Sequence, residues 1–173
     1  MENFMDWIRA VLTTTPLRWQ NMTHTLPVEL LTRPPAPGEW SALECLQHIL
    51  DTEGVFTVRL KYFLAGQDFP AFNPDEEGTP LNSTPSPVEM SDRFSTLRQH
   101  SLASLALITP DDFNRRVRHA ELGMVSLGEM VHEWAAHDLN HTVQAERAQM
   151  QPFILASGPW QVYFKDHVVK LKP

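Results

Sequence analysis

The sequence predicts an all-α protein, a bundle of four main helices. Three Ser-x-x-Glu capping boxes each stand before apolar residues at helical spacing. No segment shows a strong period-two strand pattern. At 173 residues the chain is about the length of one domain and can bury a core, so residues 1–173 are read as a single domain.

The elements follow in order. Met5, Ile8 and Leu12 share one helical face at the N-terminus. Beyond Pro16 come Leu17, Trp19 and Met22, so Pro16 either kinks one helix or separates two. Residues 32–40, TRPPAPGEW, form an extended approach that delivers Trp40 to the next helix. That helix, 41–65, opens at the box Ser41-Ala42-Leu43-Glu44 and carries Leu43, Leu46, Ile49, Leu50, Val55, Val58 and Phe63. Residues 66–85, GQDFPAFNPDEEGTPLNSTP, make a long acidic, proline-rich crossover, a length typical of functional or disordered loops. Phe69, Phe72, Asp75, Glu76 and Glu77 within it are candidates for a lid whose acidity disfavours anionic substrates.

The third helix, 87–108, opens at Ser86-Pro87-Val88-Glu89, with Pro87 at the first helical position, where its missing N–H costs nothing. Met90, Phe94, Leu97, Leu102 and Leu105 are its apolar residues. Residues 111–125 include a short strand-like excursion. The last helix, 127–149, follows the box Ser126-Leu127-Gly128-Glu129 and carries Leu127, Met130, Val131, Trp134, Leu139 and Val143.

Composition removes several classes of function. The net charge is −7 and no Lys/Arg cluster supplies the basic stripe that nucleic acid requires. No apolar run approaches the roughly 18–20 residues of a membrane span. The N-terminal MENFMDWIRAVLTTTP lacks a cleavable signal pattern. One cysteine, Cys45, cannot form an internal disulfide, which suits a reducing cytoplasm. No Ser–His–Asp or Cys–His nucleophile arrangement is present, and Cys45 lies on an apolar helix face.

The chemistry rests on histidines. His137 and His141 are four apart and share a helix face, so both imidazoles can point at one cation. The run HEWAAH is no zincin motif, because His132 and His137 are five apart and diverge around the helix. His48 sits on a helix otherwise rich in Leu and Ile, where a buried imidazole needs partners for its nitrogens. Facing His137 and His141 from another helix, it would complete a three-nitrogen set with an open position, as in catalytic metal sites. Satisfied core or surface histidines are the alternative, and His24, His100, His119, His132 and His167 are read that way. Glu133, His137, His141 and Gln144 form one stripe, so Gln144 or Glu133 could orient a ligand imidazole. Asp51, three residues after His48, could do the same. Glu133 or Glu44 could serve as a base, although Glu44 is better explained by its capping box.

The runs PAPGEWSALECLQHILDTE, SLGEMVHEWAAHDLNHTVQAERAQM and GPWQVYF together resemble the DinB-like (DinB/YfiT-type) superfamily of bacterial metalloproteins. The resemblance extends from about Leu31 to Phe164. It implies a four-helix bundle of up-down-down-up type, with the crossover between the second and third helices. It also implies a divalent metal, zinc or nickel, held by His48, His137 and His141, and pairing as a homodimer. Some similar proteins are transferases or isomerases using thiols such as mycothiol, bacillithiol or glutathione. In the expected reaction the metal activates a thiol cosubstrate or water, making the protein a transferase or hydrolase. The competing expectation is a stress-response or binding protein whose metal is not catalytic.

Overall fold

A computed structural model describes residues 4–79 and 86–169. The chain is mostly helical: α1 (Phe4–Thr25), α2 (Val28–Thr32), α3 (Ala42–Ala65), α4 (Pro74–Glu77), α5 (Pro87–Leu105) and α6 (Leu127–Ala156). An antiparallel hairpin, β1 (Arg116–His119) and β2 (Gly123–Ser126), lies between α5 and α6, with Val117 opposite Val125 and His119 opposite Gly123. The four long helices form a four-helix bundle in which α1 packs along α5 and α6, and α3 packs along the same two. The antiparallel sense of α3 against α6 shows in two contacts, His48 beside His141 and Phe56 stacked on Trp134.

All three capping boxes close. The amides of Ser41, Ser86 and Ser126 donate to the carboxylates of Glu44, Glu89 and Glu129, whose own amides donate to the serine hydroxyls. α3 ends at Gly66, whose φ of 65° is the left-handed conformation that glycine adopts most readily.

Pro16 neither divides α1 nor leaves a buried carbonyl unpaired. Proline removes the N–H that would have bonded the carbonyl four residues back, at Leu12. That carbonyl instead accepts a 2.9 Å bond from Nη1 of the buried Arg98 on α5. α6 continues past residue 149, through Pro152, to Ala156. There Ile154 is buried, and Gln151 bonds the carbonyls of Arg147 and His167 and the amide of Val169, holding the last turns in place. α5 stops at Leu105, short of residue 108.

The excursion at 111–125 is the hairpin together with a 3-10 turn, Pro110–Asn114. The start of the crossover attaches to it: Phe69 donates to the carbonyl of Arg118 and accepts from the amide of Ala120. Phe69 is only 5 % exposed and belongs to the core, so it is no part of a mobile lid. Glu76 and Glu77 are exposed, Phe72 is half-buried, and the side chain of Asp75 lies outside the description. Residues 80–85 of the crossover lie outside the described residues.

The apolar core has two parts. One gathers Leu12, Phe56, Phe63, Leu105, Val131 and Trp134; the other gathers Trp19, Leu46, Ile49, Met90, Phe94 and Ala145. In sequence, every long helix passes from one part to the other through buried polar residues: Thr15, Thr52 and Glu53, Arg98 and Ser101, and Asp138 and Thr142. Leu139, Val143 and Val58, expected on apolar faces, are instead 41 %, 58 % and 47 % exposed. The inward positions of this stretch of α6 belong to Asp138 and Thr142.

Candidate metal centre

His48 lies in the second turn of α3, and His137 and His141 are one turn apart on α6. One ring nitrogen from each lies within 4.8 Å of the others. The Nε2 atoms of His48 and His137 are 3.0 Å apart, and the rings of His48 and His137 each lie 4.5 Å from that of His141. Nitrogens about 2.0–2.1 Å from a tetrahedral zinc stand roughly 3.3 Å from one another, and the His48–His137 pair is already close to that spacing. All three histidines are partly buried.

The electrostatics favour neutral rings at His137 and His141. Burial, reinforced by His141, His48, Arg98 and Arg59, pushes His137 down to about 3. Burial also lowers His141, opposed by its hydrogen bond to Gln144. Gln144 Oε1 lies 2.9 Å from His141 Nδ1 and can only accept, so Nδ1 carries the proton and Nε2 keeps its lone pair. Nδ1 of His137 is buried with no hydrogen-bond partner among the described groups. That leaves Nε2, 3.0 Å from Nε2 of His48, as the nitrogen of His137 that faces the cluster. The donor set therefore fits a divalent cation.

Trp40 closes one side. Its ring lies 5.0 Å from that of His48 and is stacked on His141 at 5.8 Å with planes 26° apart. The approach through residues 32–40 thus ends on the histidines themselves.

The other expected residues go elsewhere. Glu44 is held by Ser41, with its Oε2 2.7 Å from both the amide and the hydroxyl. The Asp51 carboxylate accepts from Gln47 and from the amide and hydroxyl of Thr79, so it ties down the crossover instead of orienting His48. Glu133 stands one turn before His137 and lines a separate cavity with Arg59 and His119; burial raises its pKa. Cys45 is fully buried, and burial followed by the charge of Glu44 pushes its thiol up to about 12, which rules it out as a nucleophile at neutral pH. His132 is exposed, with Nδ1 against the carbonyl of Gly128, outside the cluster.

Sequence reasoning missed a buried ionic triad beside the histidines. Arg98 is bidentate to Glu53 at 2.9 and 2.7 Å, and also binds both carboxylate oxygens of Asp138. All three side chains are 1 % exposed. Burial penalises the guanidinium, but the hydrogen bonds to Asp138 and Glu53 outweigh it and hold Arg98 above its ordinary pKa. Asp138 directly follows His137, so triad and histidines share a turn of α6. The available signal was a charge on an otherwise apolar stripe, such as Arg98 four residues after Phe94.

A helical bundle that brings three histidines together from two facing helices has the construction that metal sites in bundles commonly use. The chain belongs to the DinB superfamily, whose family model matches residues 12–145. It is 24 % identical over 139 residues to a protein of Oceanobacillus iheyensis named "Putative metal-dependent hydrolase", covering 79 % of this chain and 80 % of that one. Its fold is similar to that of YfiT from Bacillus subtilis, described as "a probable metal-dependent hydrolase with an unusual four-helix bundle topology". The TM-score is 0.74 at 18 % identity, over 87 % of this chain and 89 % of that one. Among the described residues, no helix is long and apolar enough to cross a membrane.

Proposed function

We propose that the protein is a divalent-metal-dependent hydrolase with His48, His137 and His141 as its metal ligands. The observation that carries this reading is the convergence of three ring nitrogens, with His141 fixed through its Nδ1 by Gln144. The names of the similar proteins agree with it. With three protein ligands and an open position, a bound cation supplies a water of lowered pKa and polarises a substrate carbonyl. Imidazole donors suit zinc or nickel. Trp40 shields one side of the cluster from solvent.

A thiol cosubstrate in place of water would make the same centre a transferase, and turnover with and without mycothiol, bacillithiol or glutathione separates the two. Pairing as a homodimer is part of the proposal. Phe153, Leu155, Trp160, Val162 and Tyr163 are exposed at the end of α6 and in the turn beyond it, an apolar surface for a second copy. Light scattering reads the mass directly, and a monomer at micromolar concentration would remove this element.

The primary test is elemental mass spectrometry on the untagged protein beside His48→Ala, His137→Ala and His141→Ala. The expected result is near-stoichiometric metal, lost in all three variants. Failure to retain metal after incubation with zinc or nickel would overturn the reading.

A further inference from the structure

The cavity between α3, the hairpin and α6 holds a polar pair that the histidine cluster does not use. Arg59 on α3 lies 5.2 Å over the ring of Phe69. Among the described residues, no carboxylate comes within 4 Å of its guanidinium. Its Nη2 is 3.4 Å from Nε2 of His119, a side chain only 6 % exposed. Nδ1 of His119 accepts from the backbone amides of Glu121 at 3.1 Å and Leu122 at 3.3 Å. A neutral imidazole whose Nδ1 accepts carries its proton on Nε2. Two donors, the Nε2–H and the guanidinium, therefore face each other and cannot satisfy one another. An acceptor between them would satisfy both.

The cavity beside them, about 170 Å³, has apolar walls of Phe69, Leu122, Val125 and Met130. We propose that Arg59 and His119 form a subsite for the carboxylate of a small ligand with a short apolar body. The carboxylate accepts from the guanidinium and from Nε2–H, and the body lies against the apolar walls. A carboxylate suits the site better than a phosphate. Its two coplanar oxygens match one guanidinium fork, whereas a dianion calls for more positive charge than one arginine supplies in a chain of net charge −7. Glu129 and Glu133 also line the cavity; the Glu129 carboxylate is taken up by the amide and hydroxyl of Ser126, and Glu133 stays beyond 4 Å of the guanidinium. This reading runs against the expectation, from the acidic crossover alone, that anions are disfavoured.

Glu133 is one turn, about 6 Å along α6, from His137. A substrate reaching both places would anchor its carboxylate at Arg59 and present its labile bond at the histidines. That extension rests on the proposed metal centre, whereas the subsite itself does not.

The test is calorimetric or NMR titration of chelator-treated protein with isovalerate and with isovaleramide, its uncharged equivalent. Saturable isovalerate binding in the low millimolar range is expected, with isovaleramide at least tenfold weaker. Arg59→Gln should lose at least tenfold in isovalerate affinity. His119→Asn, which keeps an acceptor for the Glu121 and Leu122 amides but removes the Nε2 donor, should lose several-fold. His48→Ala should bind isovalerate as the wild type does, so loss of the metal centre and loss of this subsite are told apart. No saturation below about 20 mM, equal binding of the amide, or unchanged affinity in a folded Arg59→Gln protein would each overturn the proposal.

Discussion

Gln144 decides what His141 can do. Its carbonyl oxygen takes the Nδ1 proton and leaves Nε2 as the donor atom toward His48 and His137. Partners of this kind tune metal affinity by about 10–100-fold. Gln144→Ala is expected to lose affinity in that range in a chelator competition, whereas Gln144→Glu, which keeps the acceptor, should retain most of it. Unchanged affinity in the alanine variant would mean that stacking on Trp40 alone holds the ring. The His137–His141 pair and its stripe with Gln144 were legible in the sequence, because helix geometry converts spacing into a shared face. That His48 faces them is a long-range fact, and spacing alone could not supply it; the family resemblance did. His119 was read as ordinary because its partners are the amides of its own turn and an arginine 60 residues away. Such contacts leave no periodic trace.

Helix starts are chemically encoded, and the three capping boxes are where the sequence was most informative. Glu89 and Glu129 have pKa values lowered by their bonds to Ser86 and Ser126, and Asp112 is held at about 2 by Thr109 and Arg115. A depressed carboxyl contributes stability above its unfolded pKa, about 4.3 for Glu and 3.9 for Asp, and loses it as pH falls through the folded value. Thermal stability is therefore expected to decline below about pH 4.5, and less steeply in a Ser86→Ala/Ser126→Ala protein, whose carboxylates have less to lose. At neutral pH each Ser→Ala change should cost about 1 kcal/mol. Parallel acid profiles for the two proteins would show that the boxes contribute no pH-dependent stability. Helix ends were less legible. The α6 helix passes through Pro152 because Gln151 and Ile154 fix the following turn by tertiary contacts.

At the scale of the whole molecule, the apolar core is split by a polar layer, and the ionic triad is its centre. The layer explains why the hydrophobic pattern on α6 misled at Leu139 and Val143: a reading that seeks apolar residues passes over Asp138 and Thr142, which face inward. Arg98 joins three helices at once, bonding Glu53 on α3, Asp138 on α6 and the Leu12 carbonyl freed by Pro16 on α1. It also lies over the rings of Phe94 and Trp134. Removing it strands two buried carboxylates, so Arg98→Met is expected to cost about 3–5 kcal/mol in urea denaturation. Desolvation makes such a network a weak source of net stability. A triple variant, Arg98→Met with Glu53→Met and Asp138→Leu, should therefore recover most of the loss. The informative quantity is then metal affinity in the triple variant. If the triad holds α6 in the rotation that aims His137 at His48, affinity falls while stability returns. If affinity and stability return together, apolar packing alone sets that rotation, and the polar layer does not position the histidines.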